Sequence, residues 1–505
     1  MVLSLRFLSI ACGFLMAASL ASGGELELMI LDAATGKPVP ARVHIKNQRG
    51  TAPKVPKLPT WNDHFACWGK VILTLPKGKY DFEIERGLEY RPITGNFVIE
   101  QGATDNKTVE LKRFVDMKKE GWWSGDLHIH RDPKDMDLLM ESEDLHIGPT
   151  ITWWNDQNLW KTEKIPDPLL IKRDNLRFTE LMAGEDERAG GALLFFGLPS
   201  PLPIIGLDRD YPCGAAVMAL AKKQPNVHID AEKPFWWDFP VWVATGQVDS
   251  VGIANNHQQR SGMLDNEAWG RPRDKLRYAS PWGNGRWSVD IYYHLLNCGL
   301  RIPPSAGSAS GVLPNPPGYN RVYVHCGDEL TWEKWWEGLR AGRVVITNGP
   351  MLRPSVEGHM PGHIFQGSQG QDLSLETSLN LATREKIDYL EIIRDGQVVE
   401  EVRLDQLAKR EGKLPPLKFN SSGWFLIRAV TNAPKTFRFA MTGPYYVDFG
   451  KPRISRRSAQ FFVDWVLERQ AQIKLSDPVK QERVMAYHLA AEKFWKDILS
   501  QANAD

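Results

Sequence analysis

The sequence lacks a dominant charge, because 62 lysine and arginine residues are balanced by 61 aspartate and glutamate residues. A net charge of +1 creates no global field that would attract nucleic acid or an anionic membrane, so neither partner is expected. The chain also lacks a P-loop, a dinucleotide fingerprint and a GxSxG nucleophile elbow. Nucleotide-dependent and serine-hydrolase chemistry therefore have no positive signal.

Cysteine is scarce, with five residues in a chain of 505. Cys12 lies near the N-terminus, and the other four do not have the close spacing of a zinc site. These four either form disulfides, for which three pairings are possible, or remain buried free thiols. They are Cys67, Cys213, Cys298 and Cys326.

An apolar run opens the chain, extending from Phe7 to about Leu20. Arg6 precedes it, and the small residues Ser19 and Ala21 stand where a signal peptidase would cleave. We predict a signal peptide at residues 1–23 and a secreted or periplasmic protein. The alternative is an uncleaved anchor, but the run is shorter than the roughly 20 residues of a spanning helix. No stable membrane span is expected after cleavage.

The rest of the chain is long enough for two or three hydrophobic cores. Residues 24–114 show short strand patterns with turn signals at Thr35-Gly36 and Lys77-Gly78, which predict hairpins in a β-sandwich. This segment resembles carboxypeptidase-regulatory-like modules. Residues 115–349 alternate strand and helix patterns, which predicts a barrel-like α/β domain. Residues 350–452 predict a second β-sandwich with a hairpin at Asp395-Gly396, and residues 453–505 predict a helical tail.

The motif GDLHIH places His128 and His130 one residue apart. In a strand, side chains at i and i+2 point to the same face, so both imidazoles can bind one ion. Further carboxylate or imidazole groups occur where later strands should end, at Glu185, His228 and His257. This combination of ligands suits zinc, manganese or iron.

These segments together resemble a known family. GDLHIH followed by a helix, ITWW, GE, a later histidine and GSASGVLPNPPGYNRVYV are similar to the polymerase and histidinol phosphatase (PHP) superfamily. The most similar branch is the CehA/McbA-type metallohydrolases, and the resemblance covers residues 121 to about 350. It implies a multidomain α/β plus β protein, in which a distorted PHP-type (β/α) barrel is flanked by two β-sandwich modules and followed by the helical tail.

The resemblance also implies a metal site. The implied ligands of one or two divalent ions are His128, His130, Glu185, His228 and His257, with Glu185 as a bridging carboxylate. Asp126 would either orient one of the first two histidines or cap a turn.

Two departures from the family pattern reduce the expected site. The family usually reads TDHN where this chain has Thr152-Trp153-Trp154-Asn155. It usually ends with an aspartate, often followed by a histidine, where this chain has Gly307-Ser308-Ala309-Ser310-Gly311. At least two ligands of a trinuclear set are therefore missing. A mononuclear or dinuclear site is expected, and loss of catalysis is an open alternative.

Other residues are candidates for catalysis or substrate binding. Asp230, Glu232 and Lys233 follow His228 and suit proton transfer or charge stabilisation, or else form a surface ion-pair cluster. Arg188 suits an anionic substrate group or is an ordinary surface arginine. Predicted substrate contacts beside the site are Trp153, Trp154, Asn155, Trp236 and Trp237. Aromatic walls favour a bulky substrate, whereas core packing is the alternative for each tryptophan.

Three functions follow from this pattern. The leading hypothesis is an exported metal-dependent hydrolase that cleaves an ester, carbamate or related bond in a small-molecule or carbohydrate-like substrate. The second is a metal-dependent phosphoesterase on the same fold. The third is a non-catalytic extracellular binding protein with a degenerate site.

Overall fold

The computed structural model describes residues 23–505. The predicted signal peptide therefore lies outside the described residues, except for Gly23, which begins the first strand. The described chain is a mixed α/β protein with several β-sheets and comparatively few helices.

The N-terminal unit packs a three-stranded sheet, in the order β5-β1-β8, against a five-stranded sheet, in the order β3-β4-β2-β6-β7. Alternate residues of the first strand, Leu26, Leu28 and Ile30, are buried in the core between them, as expected for a strand with one covered face. The strands are β1 (Gly23–Asp32), β2 (Ala41–Asn47), β3 (Thr60–Trp61), β4 (His64–Cys67), β5 (Lys70–Pro76), β6 (Gly78–Glu85), β7 (Ile93–Ile99) and β8 (Thr104–Leu111).

Of the two hairpins predicted in this unit, a short one forms at Thr35-Gly36, where Leu31 bridges Pro38 in an antiparallel pair and Val39 N donates to Ile30 O at 3.0 Å, and the one at Lys77-Gly78 is wrong. The Thr35-Gly36 turn joins β1 to β2, and the Lys77-Gly78 turn joins β5 to β6, but in each case the two strands belong to different sheets. Each turn therefore carries the chain across the sandwich.

The central unit holds strands and helices in alternation. Its strands are β9 (Trp122–Gly125), β10 (Ile151–Trp154), β11 (Gln157–Asn158), β12 (Leu170–Arg173), β13 (Arg177–Glu180), β14 (Ala183–Arg188), β15 (Gly191–Phe196), β16 (His228–Ala231), β17 (Ser250–Ala254), β18 (Gln258–Gln259), β19 (Gly262–Met263), β20 (Pro304–Ala306), β21 (Arg321–His325) and β22 (Val344–Thr347). Its helices are α1 (Met136–Ser142), α2 (Gly214–Ala221), α3 (Phe239–Ala244), α4 (Gly283–Asn297) and α5 (Trp332–Arg340).

A mixed seven-stranded sheet forms the middle of this unit, in the order β11-β10-β14-β15-β16-β17-β20. The segment Asp126–His130 runs between two of its strands. Leu127 N donates to Ala306 O of β20 at 3.0 Å, and Ile129 O accepts from Ile151 N of β10 at 2.8 Å. These hydrogen bonds place the histidine segment in contact with β20, one edge strand of the sheet, and with β10, the second strand from the other edge.

The C-terminal sheet has nine strands and includes β9, β21 and β22 of the central unit. Val345 pairs with Thr442, so the sheet is continuous across residue 349. The remaining strands are β23 (Met351–Val356), β24 (Ile364–Gln366), β25 (Leu373–Leu375), β26 (Thr377–Ala382), β27 (Ile387–Arg394), β28 (Gln397–Glu401), β29 (Leu417–Phe419), β30 (Gly423–Thr431), β31 (Phe439–Thr442) and β32 (Tyr445–Asp448), with helix α6 (Leu404–Lys409) after β28.

The hairpin predicted at Asp395-Gly396 is confirmed. Strand β27 pairs with β28, and Arg394 lies opposite Gln397. Asp395 and Gly396 have φ angles of 50° and 84°, the positive values that a two-residue type I′ turn requires.

Two helices end the chain, α7 (Arg456–Gln472) and α8 (Pro478–Ser500). Pro478 stands in the first turn of α8, and the Asp477 side chain accepts hydrogen bonds from two backbone N–H groups of that turn. The rings of Phe462 and Trp495 stack at 4.3 Å, and Trp495 Nε1 donates to Pro240 O. The tail is therefore packed against α3.

The N-terminal unit is attached to the other two by buried ion pairs. Arg42 contacts Glu143 of the central unit at 2.5 Å. Glu85 accepts from Arg260 at 3.2 Å and from Arg384 at 3.1 Å, which links three units at one carboxylate.

Two sequence expectations concern features of the whole chain. Among the described residues, Cys67, Cys213, Cys298 and Cys326 are free thiols, so the disulfide alternative is not found there. No helix within residues 23–505 is long and apolar enough to cross a membrane.

Candidate metal centre

Three side chains converge beside the strand segment that follows β9. His128 Nε2 and His130 Nε2 are 3.0 Å apart. Glu185 Oε2 lies 3.4 Å from the first of these nitrogens and 3.1 Å from the second. Glu185 lies on β14, whose side chains alternate between the two faces, and it reaches the histidines from the neighbouring part of the sheet.

The spacing fits a metal ion. Zinc bonds of about 2.0–2.2 Å at tetrahedral angles place ligand atoms about 3.3–3.6 Å apart, and the three separations observed here, 3.0, 3.1 and 3.4 Å, lie within about 0.3 Å of that range. Glu185 Oε2 is buried and makes no hydrogen bond of accepted geometry. An unsatisfied buried carboxylate oxygen needs a cationic partner. With three protein ligands, a fourth position remains for water or substrate, as in catalytic zinc sites.

The charges around the three side chains set their protonation states in the absence of an ion. Burial opposes the charging of His128, but the carboxylates of Glu185 and Glu232 outweigh it and raise its pKa to about 10. Burial also acts on Glu185, yet the two histidines hold its pKa below the usual range. Without metal the group therefore keeps a proton on His128, and metal binding would release it.

Glu232 contacts the His128 ring on the side away from the other two candidate ligands. His128 Nδ1 lies 3.1 Å from Glu232 Oε1, so Nδ1–H donates to the carboxylate and Nε2 is left free to face the other ligands. Glu232 also pairs with Lys233 and accepts from Trp236 Nε1 at 3.1 Å and from Asn256 Nδ2 at 3.0 Å. Its acceptor positions are thus filled, which assigns it an orienting role.

Asp126 acts on the backbone. Its Oδ1 accepts from the N–H groups of His128 at 2.9 Å and Ser308 at 3.0 Å, and its Oδ2 accepts from Gly318 N at 2.6 Å. Burial raises the pKa of this carboxyl. Asp126 therefore fastens the histidine segment to the loop after β20 and does not touch an imidazole ring.

That loop approaches the histidine segment closely at Gly311. Gly311 has a φ of 101°, and a Cβ atom there would lie 2.5 Å from His130 O. A larger residue at this position would collide with the ligand segment.

His228 is a correction to the predicted ligand set. Its Nε2 bonds to Ser250 Oγ at 2.7 Å, and its ring lies 4.7 Å from that of Trp336 in the core. Burial holds its pKa well below the usual range. Asp230 is likewise enclosed, because its Oδ2 accepts from Ser250 and Ser305, and burial raises its pKa to about 6. Neither residue joins the converging ligand atoms.

His257 lies near the site without joining the three ligands. Its Nδ1 donates to Asn266 O at 2.8 Å and to Leu264 O at 3.0 Å, which leaves Nε2 as the unprotonated nitrogen. Burial, reinforced by the charge of Lys233, lowers its pKa to about 3, so the ring is neutral.

Arg188 is not available to a substrate. It lies three residues after Glu185, on the opposite face of β14, where it pairs with Asp186 at 2.5 and 2.7 Å. It also donates to Pro212 O and Asp208 O. Arg188 is thus placed away from the three converging side chains, with its guanidinium held by Asp186.

The tryptophans divide between core and site. Trp153 is buried, donates to Met182 O and packs on Gly184, so its predicted substrate role is wrong. Trp154 lies 4.8 Å from the His130 ring and forms a wall of the site. Trp236 is buried against Glu232, and the half-buried Trp237 packs on the main core.

Asn155 also has a structural role, because its Oδ1 accepts from the backbone N–H of Glu187 at 2.9 Å.

Glu187 lies beside the candidate ligands but was not predicted from the sequence. It is two residues after Glu185 on the same face of β14, and its Oε2 accepts from Trp154 Nε1 at 3.2 Å. Burial and the nearby Glu185 raise its pKa to about 7. The i+2 spacing from Glu185 is the signal that would have found it.

A second group of metal-binding residue types lies in the N-terminal unit, at His44, Asp63 and His64. The sequence reasoning missed it, because His44 lies on β2 whereas Asp63 and His64 lie in the turn before β4 and at its start. The DH pair at Asp63-His64 was the available signal.

Comparisons with known proteins add little. No family model matches the chain, and no curated protein matches it. Solved structures with partial similarity include the Bacillus anthracis TIE protein, at 24% identity over 22% of this chain and 20% of that chain, with a TM-score of 0.15. Another is the group B streptococcus pilus 2b backbone protein, at 18% identity over 18% of this chain and 41% of that chain, with a TM-score of 0.15. These two matches span less than half of either protein, and TM-scores of this size support no argument about function.

Proposed function

We propose that the chain is an exported metal-dependent hydrolase of the PHP superfamily, similar to CehA/McbA-type enzymes, that cleaves an ester, carbamate or related bond. The observation that carries the proposal is the convergence of His128 Nε2, His130 Nε2 and Glu185 Oε2 within 3.4 Å of one another in a buried setting. Three ligands with one open position are typical of catalytic metal sites.

The path of the chain is compatible with a distorted PHP-type barrel. The segment Asp126–His130 bonds to β20 and β10, near opposite edges of the seven-stranded sheet, as an inserted strand in a closed barrel would. The ligands then lie where this segment meets the ends of the sheet strands.

The chain's own groups have separate tasks in this proposal. A divalent ion bound here would supply Lewis acidity and lower the pKa of a bound water to about 7. His128, His130 and Glu185 hold the ion, Glu232 keeps the proton of His128 on Nδ1, and Trp154 covers one side and limits the access of solvent.

A carbonyl substrate is favoured over a phosphate. Phosphate recognition usually relies on free arginine or lysine donors, but Arg188 is paired with Asp186 and Lys233 is paired with Glu232. The indole face of Trp154 beside His130 suits an apolar or sugar-like group.

Metal analysis combined with hydrolysis assays tests the proposal. The chelator-treated protein is reloaded with zinc or manganese and assayed on an aryl ester and on the matching aryl phosphate. We expect ester hydrolysis that depends on metal and is lost in His128→Ala/His130→Ala, whereas His359→Ala/His363→Ala, a control pair far along the sequence, behaves as wild type.

Two results would contradict the proposal in different ways. A preference for the aryl phosphate would favour the phosphoesterase alternative. Metal binding at these ligands without any hydrolysis would favour the binding-protein alternative.

A further inference from the structure

We propose that His44, Asp63 and His64 form a second zinc site, structural in role, inside the N-terminal unit. His44 on β2 lies directly opposite His64 on β4 in the antiparallel pair, and their ring centroids are 5.1 Å apart. Asp63 precedes His64 and places its carboxylate between the two rings. The group is far along the chain from the catalytic centre proposed above and does not depend on it.

The separations again fit a zinc ion. Asp63 Oδ1 lies 3.2 Å from His44 Nδ1 and 3.4 Å from His64 Nδ1. Tetrahedral zinc with bonds of about 2.0–2.2 Å places ligand atoms about 3.3–3.6 Å apart. Two imidazoles and one carboxylate are ligands that zinc accepts readily.

The histidines have unsatisfied nitrogens, which is an independent indication of a ligand. His44 is 5% exposed and His64 is 4% exposed. His44 Nδ1, one of the three proposed ligand atoms, is buried without a hydrogen-bond partner of accepted geometry, whereas the unsatisfied nitrogen of His64 is Nε2, on the other side of the ring from its proposed ligand atom. Buried polar atoms in native proteins are satisfied in the large majority of cases.

Two neighbouring cationic side chains contact the proposed ligands, and one of them must move when zinc binds. Arg42 Nε donates to His44 Nε2 at 3.0 Å, and Lys46 Nζ lies 2.9 Å from Asp63 Oδ2. Binding through Nδ1 moves the remaining imidazole proton of His44 to Nε2, so Arg42 must release that nitrogen. Glu85 Oε2 lies 3.9 Å from His44 Nε2 and can accept the proton's hydrogen bond after a small shift. This gives the carboxylate–histidine–metal arrangement that is common in zinc proteins.

The site lies beside the contact between units. Trp61 pairs with His64 in the short β3–β4 ladder, and its Nε1 donates to Leu313 O at 2.7 Å in the loop after β20. The guanidinium of Arg131, which follows His130, lies 5.5 Å from the Trp61 ring centroid. An ion at His44 and His64 would therefore fasten β4, and with it the Trp61 contact, to β2.

Zinc stoichiometry of the full chain tests the inference. Wild type, His128→Ala/His130→Ala, His44→Ala/His64→Ala and the combined fourfold variant are stripped with chelator, reloaded with zinc, desalted and measured by mass spectrometry. We expect two ions per chain in wild type, one in each double variant and none in the fourfold variant. The control His359→Ala/His363→Ala should hold two.

This experiment tests the two proposed sites independently of each other. Wild-type zinc content in His44→Ala/His64→Ala overturns the second site, whereas wild-type content in His128→Ala/His130→Ala overturns the catalytic one. If His44→Ala/His64→Ala does not fold, cobalt is titrated into His128→Ala/His130→Ala. The visible bands of four-coordinate cobalt should appear there and vanish on adding Asp63→Asn. Absence of these bands also overturns the second site.

Discussion

Glu232→Gln should separate metal affinity from stability at the proposed catalytic centre. The substitution keeps the shape of the side chain but removes the charge that faces His128 Nδ1 at 3.1 Å. Loss of such a partner behind a metal ligand typically weakens metal binding 10–100-fold. Lys233, which is 2% exposed, also loses its counter-charge, and an unpaired buried charge costs about 3–5 kcal/mol.

The assay combines zinc competition against a chromophoric chelator with urea denaturation of the metal-free protein. Glu232→Gln should lose both zinc affinity and stability. Adding Lys233→Met removes the unpaired ammonium, so the double variant should regain much of the stability while its zinc affinity stays low. Wild-type zinc affinity in Glu232→Gln, or recovery of affinity in the double variant, would refute the orienting role.

Three further changes test the surrounding structure. Gly184→Ala places a Cβ atom 1.8 Å from the Trp153 ring, and the clash should cost about 1–3 kcal/mol or more; an unchanged urea midpoint would contradict this. Burial raises the pKa of Glu180 from 4.5 to about 7, so its ionisation destabilises the fold as pH rises through that window. Glu180→Gln should leave stability nearly unchanged near pH 4 and raise it by about 3 kcal/mol above pH 7, and a pH-independent difference would exclude this explanation. Arg188→Ala leaves buried Asp186 unpaired and should cost about 3–5 kcal/mol, while the KM of the remaining folded enzyme stays at the wild-type value; a raised KM would restore a substrate role.

The two histidines predicted from local spacing lie together, whereas of the three ligands predicted from the longer pattern only Glu185 joins them. His128 and His130 share a strand face because of their i, i+2 spacing. His228 shares a face with Glu232 in the same way, but four residues of extended chain separate them by about 13 Å. His228 therefore reaches the core below the site.

The turn sequences predicted where the chain reverses, but not which strands pair with each other. Asp395-Gly396 forms a hairpin because its flanking strands pair with each other. Lys77-Gly78 has the same local character, yet β5 pairs with β1, and β6 pairs with β2 and β7. Which strands pair is decided by the packing of the two sheets, and no residue near the turn carries that information.

The continuity of the nine-stranded sheet across residue 349 affects how the protein can be divided. A fragment ending there would expose β22, whose Val345 and Thr347 normally pair with β31, as an unprotected edge. Such edges recruit strands from other molecules and promote aggregation. Recombination or truncation at this point would thus cut through a shared sheet, so the unit with the candidate metal ligands and the C-terminal strands are expected to be inherited and expressed together.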